Sequence, residues 1–326
     1  MKKLFYLFIL LCFWSCEKKI EHEHGFYYWR TKFNLSKEET KLLSESKVEN
    51  LYVRFFDLQK SGSQYEAVGV IQRKDSSKIS KKIVPVVFIT NETWNKISKE
   101  DVSFLAQKTF DNIKDISKKL HFDLANEIQI DSDWTAGTKN DYFFFLQELQ
   151  RISKQDITST LRLHQVRDKK KMGIPPVKKM YLMCYSTSSP LEKSDKNSIL
   201  DLKLLKSYLG SLNEYPVKLD VALPIYSWGI VTNHLGKHKL INAVKTEDLE
   251  NSNFEKIGEH QYKVLKDDFY FGMYLNKGFE IKVEEIPESD IEESINFIDK
   301  KLNYPYHIIY YHLDSQFTQH YKNILK

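Results

Sequence analysis

The feature that most constrains the fold of this chain is a series of short apolar runs separated by helical patterns. Eight runs have the length and composition of buried strands: residues 25–33, 51–58, 82–90, 127–134, 159–166, 179–186, 218–228 and 307–314. Amphipathic patterns lie between several of them, at 36–46, 99–120, 138–153, 198–212 and 287–302. Because strands that alternate with helices build parallel sheets, eight of them predict an α/β fold, a (β/α)8 TIM-like barrel.

Three connections make the predicted barrel irregular. Residues 65–74 indicate an extra strand or hairpin, and Gly173 with Pro175 and Pro176 argues against a helix between the fifth and sixth strands. A β-rich segment, at about 229–285, is inserted before the last strand. A doubly wound open sheet is the alternative fold, but the Gly-rich phosphate turn typical of its first strand is missing. We therefore expect residues 26–326 to form a single barrel domain.

The first 15 residues have the layout of a lipoprotein signal peptide. Lys2 and Lys3 precede the apolar stretch LFYLFILLCFW, which is too short to span a membrane. Ser15 before Cys16 resembles the lipobox of bacterial lipoproteins, which implies cleavage before Cys16 and lipidation of its thiol. Residues 16–25 then form a polar tether in which His22 and His24 are solvated. An ordinary signal peptide or an uncleaved anchor is the alternative. Both interpretations export the protein, and the lipid anchor would hold it in the cell envelope, on the periplasmic side or at the cell surface.

Charge and cysteine content limit which partners and which disulfides are expected for the mature chain. Without Lys2 and Lys3, 47 of the 49 basic residues remain against 44 acidic residues, and a net charge of +3 does not indicate a nucleic-acid partner. Cys12 lies in the signal and Cys16 at the lipid site, so Cys184 has no partner for an intrachain disulfide. No further segment is apolar enough to cross a bilayer, and we expect a monomer without a cofactor.

Polar, aromatic and acidic residues gather at the predicted carboxyl ends of the strands, where barrels of this type carry their function. Broad aromatic faces beside carboxylates suit a sugar ring, which stacks on one face and bonds through its hydroxyls. The sequence therefore predicts a poly- or oligosaccharide as partner. The candidate substrate-binding residues are Trp29, Arg30, Trp134, Gln165, Tyr185, Tyr226, Trp228 and His312.

The stretch Asp131-Ser132-Asp133-Trp134 resembles the D-x-D-W-E signature of family-18-type glycoside hydrolases, the chitinase-like barrels. This resemblance implies a TIM barrel that acts on glycans and uses the glutamate of the signature as its proton donor. Thr135 occupies the position of that glutamate. Asp131 and Asp133 therefore match the supporting aspartates of the family, and the usual acid is absent.

Hydrolysis of a glycosidic bond usually needs two carboxyl groups, and Asp131 with Asp133 is the leading pair by spacing. The further candidate catalytic residues, from other strand ends, are Asp57, His164 and Asp314. HExxH and clustered Cys/His patterns are missing, which argues against a structural or protease zinc site, and a GxSxG elbow is missing as well. We predict no metal site, and a divalent-metal site built from Asp131, Asp133, His164 and His312 is an alternative that the spacing does not establish.

Structural roles compete with each of these assignments. Asp133 lies close enough to the helix near residue 138 to cap it, and Asp131 has Arg162 or Arg54 as a possible ion-pair partner. His164 alone suits a core position, and Trp228 suits packing beneath the insertion. The sequence thus predicts a membrane-anchored glycoside hydrolase-like barrel. The alternative is a non-catalytic glycan-binding or envelope-assembly lipoprotein built on a degenerate hydrolase barrel.

Overall fold

The structure, a computed structural model, describes residues 20–62, 64–73, 79–192, 194–321 and 323–325. The predicted signal peptide and the lipid site at Cys16 lie outside these residues. Among the helices that the structure does describe, none combines the length and apolarity needed to cross a membrane.

Eight parallel strands close into a barrel. In chain order they are β1 (His24–Tyr28), β2 (Asn50–Ser61), β3 (Lys82–Ile89), β4 (Glu127–Ser132), β5 (Asp156–Arg162), β6 (Lys179–Met183), β7 (Lys218–Pro224) and β8 (Ile308–Tyr311). Each strand pairs with its neighbour in sequence order, and β1 pairs with both β2 and β8, which closes the sheet. The predicted TIM-like barrel is confirmed.

Helices cover the outside of the barrel. They are α1 (Lys37–Glu45), α2 (Lys99–Leu120), α3 (Lys139–Ser153), α4 (Leu163–Arg167), α5 (Lys169–Met172), α6 (Leu202–Tyr208), α7 (Glu288–Leu302) and α8 (Ser315–Thr318), with single 3-10 turns at Asn91–Trp94, Leu212–Glu214 and Thr246–Leu249. The capping box at Ser36 and Glu39 is formed, which fixes the start of α1. Helix α6 is shorter than its apolar pattern because Asp201 caps it, accepting a hydrogen bond from the backbone of Leu204.

The prediction that no helix lies between the fifth and sixth strands is wrong. Strand β5 ends at Arg162, and α4 and α5 follow at once. Gly173, with a φ of 77°, ends α5, so Pro175 and Pro176 fall beyond it and obstruct no helical hydrogen bond. The apolar run 159–166 therefore divides between a strand and a helix.

The inserted β-rich segment before the last strand is also confirmed. Its antiparallel sheet contains Trp228–Thr232, His238–Asn242, Phe254–Gly258, Gln261–Val264 and Glu280–Glu284, and it has its own small hydrophobic core. A hairpin of Asp268–Tyr270 and Met273–Leu275 completes it. Elsewhere, Gln64–Val68 extends the barrel sheet beside β2, and Lys32–Phe33 pairs with Gln72–Arg73.

We call the N-terminal ends of the eight strands the floor of the barrel and their C-terminal ends the mouth. The tether predicted for residues 16–25 differs from the structure at its end, because β1 already begins at His24. The His22 ring is nearly buried at the floor, 2.8 Å from Oδ1 of Asp299 and 2.9 Å from the carbonyl of Tyr306. The ring of His24 contacts the hydroxyl of Tyr310 at 2.9 Å. Both histidines are packed where we expected solvent.

Candidate functional site

The mouth opens into a cavity of about 630 Å³ between the strand ends and the insertion. Its wall combines aromatic rings with arginine and aspartate side chains, as the sequence predicts for a glycan site. The lining residues are Trp29, Arg30, Arg54, Asp57, Phe88, Asp131, Arg162, Met183, Tyr185, Ser186, Tyr226, Ser227, Trp228, Asn242, Tyr311, His312, Asp314, Gln316 and Phe317.

Most of the predicted site residues meet at this cavity. Since the strands are parallel, their carboxyl ends converge on one face, which brings together side chains far apart in sequence. The predicted residues that line the cavity are Trp29, Arg30, Asp57, Asp131, Tyr185, Tyr226, Trp228, His312 and Asp314. Whether they act on a glycan stays a prediction at this point.

Asp131 is the carboxyl group with the most unusual environment. Strand alternation places it on the inner face of β4, directly above Gln129, with 3% of its surface exposed. The hydroxyl of Thr160 on the neighbouring strand donates to Oδ1 at 2.8 Å. Burial raises the pKa of Asp131 to about 6, against the opposing effect of the Arg162 charge and with a further rise from Asp133. This carboxyl group can therefore hold a proton in mildly acidic solution.

Asp133 is engaged by an arginine at the rim. Its Oδ1 lies 2.5 Å from Nε of Arg162 and its Oδ2 lies 3.3 Å from Nη2. The predicted helix-capping role is not formed, because Thr138 occupies the N-cap of α3. The ion pair predicted as an alternative for Asp131 is thus made by Asp133. The charge of Arg162 nevertheless interacts with both carboxyl groups.

Asp57 and Asp314 reach the cavity while holding structural partners. Nε of Arg54 donates to Oδ1 of Asp57 at 2.6 Å, and the second nitrogen of the guanidinium contacts Oδ2. Asp314 caps α8 by accepting from the backbone of Gln316 at 2.9 Å, with Arg30 3.7 Å away. Each carboxylate therefore already has charge or hydrogen-bond compensation without a ligand.

Four predicted residues do not line the cavity: Asp133, which pairs with Arg162 at the rim, and Trp134, Gln165 and His164. Trp134 is fully buried against the rings of Tyr142 and Phe143 on α3, and its indole donates to the carbonyl of Met172 at 3.1 Å. Gln165 is also buried, and it donates to the carbonyl of Trp134 at 3.0 Å. His164 is exposed on α4, and burial of part of its ring lowers its pKa. For residues 164 and 165 the cause is the early end of β5 at Arg162. The strand alternation that would direct these side chains to the mouth is replaced there by a helical turn.

Thr135, the residue at the position of the family's glutamate, is exposed in the turn before α3. Its backbone N–H donates to the hydroxyl of Thr138 at 2.9 Å, and that hydroxyl donates to Asn91 at 2.7 Å. This turn packs against the 3-10 turn after β3, and Thr135 is not among the residues that line the cavity. The chemistry of the site must therefore use other groups.

Sequence reasoning missed Tyr311, whose ring occupies the middle of the aromatic wall. It lies 5.2 Å from the ring of Tyr185, 5.4 Å from Trp29 and 5.7 Å from Tyr226, all between ring centroids. Burial raises the pKa of the Tyr311 hydroxyl, so it remains a neutral hydrogen-bond donor. Its place as the final residue of an apolar strand was the available signal, since that position reaches the mouth.

His312 and Trp228 complete the wall. Burial lowers the pKa of His312 to about 4, so its ring is neutral above that pH, and its Nδ1 is buried with no hydrogen-bond partner in the described residues. The indole of Trp228 donates to Oε2 of Glu284 in the insertion at 2.8 Å. Trp228 therefore both packs against the insertion and lines the cavity. In the described part of the chain, no three metal-binding side chains cluster as a metal site.

The fold of this chain is similar to solved barrels of glycan-cleaving enzymes. A domain of a chitinase-like protein from Desulfitobacterium hafniense superposes with a TM-score of 0.60 at 13% identity, covering 94% of this chain and 99% of that one. The spore cortex-lytic enzyme SleL of Bacillus cereus gives 0.55 at 14%, over 92% and 73%. A chitinase from Chromobacterium violaceum gives 0.55 at 13%, over 93% and 98%.

These similarities are structural, and sequence comparison adds no family to them. The chain matches no protein-family model and no curated protein. At identities of 13–14%, what is shared is the architecture: a closed barrel of eight parallel strands with helices outside and additional strands beyond the barrel. The chain thus has the barrel fold of the chitinase-like glycosidases.

Proposed function

We propose that this protein is a glycoside hydrolase-like enzyme that binds a poly- or oligosaccharide in the mouth of the barrel. The observation that carries the proposal is the nearly buried Asp131 in a cavity walled by aromatic rings. A proton donor for glycosidic bond cleavage needs a carboxyl group that stays protonated near the working pH, and burial gives Asp131 that property. The chitinase and cortex-lytic neighbours support this class of reaction.

In the proposed mechanism, Asp131 protonates the glycosidic oxygen as the bond to the leaving sugar breaks. Thr160 fixes Oδ1 of the carboxyl group, which leaves Oδ2 as the atom that carries the proton toward the substrate. Trp29, Tyr185 and Tyr311 offer ring faces on which sugar units stack. The neutral Tyr311 hydroxyl is available to donate to a sugar oxygen.

Asp57 is the proposed second carboxylate. It lines the same cavity, and its charge contributes to the raised pKa of Asp131, so the two groups are within electrostatic reach. The Arg54 guanidinium holds its orientation through two contacts. In this role Asp57 activates the attacking water or stabilises the positive charge that develops on the sugar ring.

The test is product release from a panel of cell-envelope and dietary glycans by residues 20–326, a fragment that keeps the packed His22 and His24. Asp131→Asn should lower product formation by about 100-fold or more, because it cannot donate the proton. Asp123→Asn, an exposed aspartate at the floor, is the matched control and should leave the rate unchanged. Equal rates for wild type and Asp131→Asn would rule out the proposed acid.

A non-catalytic glycan receptor is the second candidate, and a specific observation favours it. Asp57, Asp133 and Asp314 are each held by an arginine, and Thr135 replaces the family's glutamate. Such a barrel would bind the same sugars at the same rings and release no product. Binding that weakens in Trp29→Ala while no products appear with any glycan would assign the protein to this class.

We also propose that the mature protein is anchored to a membrane of the cell envelope through lipid on Cys16. The support is the sequence pattern of residues 1–16 alone, with its charged start, apolar stretch and Ser15-Cys16. Wild type should incorporate a fatty-acid label and fractionate with membranes, and Cys16→Ala should do neither. A wild-type chain without label would refute the anchor and leave the glycan proposal untouched.

A further inference from the structure

The N-terminal segment enters the barrel at the floor, on the side opposite to the cavity. Because β1 is parallel to the other seven strands, its first residue, His24, lies at the floor. His22 is held there by Asp299 and by the carbonyl of Tyr306, with 4% of its side chain exposed, and its ring stacks 4.0 Å from the ring of Tyr306. The described chain is therefore fixed to the floor from residue 22 onward.

The chain between this fixed point and the proposed lipid is short. Five residues separate Cys16 from His22, and the six residue-to-residue steps of a fully extended chain span about 20 Å. A domain of this size has a diameter of roughly 50 Å. If the lipid on Cys16 is embedded in a bilayer, the floor must stay close to the headgroups, and the mouth cannot reach them without turning the barrel over on its tether.

The exposed charges of the floor fit an anionic surface. The floor includes the last turn of each long helix and the links that lead into the strands. Its exposed basic residues are Lys47, Lys82, Lys118, Lys119, Arg151, Lys154, Lys178, Lys218 and Lys300. Its exposed acidic residues are Glu21, Glu23, Glu45, Glu49, Asp123, Asp156 and Glu214. Basic residues exceed acidic residues by two, nine against seven, and lysines close to an anionic leaflet are attracted to it.

We propose that the floor of the barrel docks on the anionic surface of the bilayer that holds the lipid, so that the mouth opens away from that membrane. The proposal rests on the lipid anchor proposed above. It places the cavity about one domain diameter from the headgroups, roughly 50 Å. The substrate is then a glycan that lies outside the bilayer, such as a wall or extracellular polysaccharide, and a sugar joined to a lipid of the same membrane does not reach the site.

The test uses the lipidated full chain in vesicles that contain phosphatidylglycerol and nitroxide-labelled lipid headgroups. A fluorophore is placed on Lys300→Cys at the floor or on Asn95→Cys at the mouth, both exposed positions. The native Cys184 is fully buried and does not compete for the label. Headgroup nitroxides quench on close approach, so the floor label should lose about half of its fluorescence and the mouth label less than about a tenth.

Equal quenching of the two labels, or stronger quenching at the mouth, would overturn the orientation. Lys218→Glu at the floor should reduce the quenching of the floor label at low salt by about 2-fold, and Lys99→Glu at the mouth should not. Equal effects of these two reversals would overturn the electrostatic docking.

A second experiment distinguishes failure of the proposed lipid anchor from failure of the proposed orientation. Flotation with vesicles first compares wild type with Cys16→Ala. If wild type does not float, the lipid proposal fails, and the labelled chains are then held on nickel-lipid vesicles through a hexahistidine tag that replaces residues 1–16. The floor label should again be quenched more than the mouth label, since the tag joins the chain at the same end. Equal quenching in this format would refute the orientation independently of lipidation.

Discussion

Two acids on the inner face of one strand, Glu127 at the floor and Asp131 at the mouth, have opposite surroundings. The oxygens of Glu127 accept from Thr158 at 2.9 Å and from Tyr181 at 2.7 Å, and Lys179 lies 3.3 Å away. Asp131 accepts from one hydroxyl, that of Thr160, and faces an arginine that is bonded to a different carboxylate. Two acids only four positions apart on β4 thus differ: Glu127 is compensated, and burial favours the neutral form of Asp131.

The floor acids extend this contrast to a second strand. Although burial raises it, the pKa of Asp220 on β7 is held below its ordinary value by the hydrogen bond from His307 and by the charge of Lys179. Buried charge at the floor is thus paired and serves the fold, whereas at the mouth Asp131 is left with an open oxygen toward a cavity. Under the proposed function, the uncompensated acid at the mouth is the reactive group, and the paired acids at the floor are structural.

The largest expected effect that separates the two acids is on stability. Glu127→Gln should lower the free energy of unfolding by about 2–3 kcal/mol, because it leaves Lys179 with less compensation in a nearly buried network. Asp131→Asn should change the free energy of unfolding by less than about 1 kcal/mol, since it removes a carboxyl group that burial already disfavours. Denaturant unfolding of both variants measures the difference, and equal losses would contradict the contrast.

A smaller effect is expected from Asp133, whose ion pair with Arg162 influences the pKa of Asp131. Asp133→Asn releases Arg162, which can then turn to Asp131 and lower its pKa. Because the acid works only while protonated, the limb on which activity falls with rising pH should move from about pH 6 to lower pH. Activity near neutrality should drop by about tenfold. Asp133→Glu, which keeps the charge, should retain the wild-type limb in the pH–rate profile, and an unshifted limb in Asp133→Asn would count against this coupling.

The smallest effect is expected from the partly exposed end of the floor network. The contact of its Nδ1 with Oδ2 of Asp220, at 3.5 Å, raises the pKa of His307 above 6.5 in the folded protein. The resulting stabilisation is fully present below pH 6.5 and is lost as the pH rises through the raised value. Because 42% of the His307 side chain is exposed, this stabilisation should amount to less than about 1 kcal/mol. His307→Gln should remove this part of the pH dependence in thermal unfolding, and an unchanged profile would exclude the linkage.

The barrel was predictable because its strands are buried on both faces. A nearly continuous apolar run such as KIVPVVFI is typical of a strand buried on both faces. Strands β3 and β4 begin at the predicted residues 82 and 127. The capping box at Ser36 and Glu39 gave the start of α1 in the same direct way. Local chemistry decides these features, so the sequence alone contains them.

The site was predictable only in part because its contacts depend on where strands stop. The apolar run 159–166 continues through the point at which β5 becomes α4, so it misplaced His164 and Gln165. Whether Arg162 pairs with Asp131 or with Asp133 depends on side-chain geometry across two strands. The periodicity of the sequence carries no information about that geometry. Tyr311 was not predicted as a site residue because a tyrosine at the end of an apolar run resembles an ordinary core residue.

The most direct test of the central claim is an NMR titration of the carboxyl carbon of Asp131, assigned by comparison with Asp131→Asn. We expect a group that titrates near pH 6 in wild type and is missing in the variant. We also expect a bound oligosaccharide to perturb this titration while leaving the titration of the floor acids unchanged. A value for Asp131 near 4, the ordinary range of an aspartate, would contradict the claim that the mouth keeps a protonated acid for glycan cleavage.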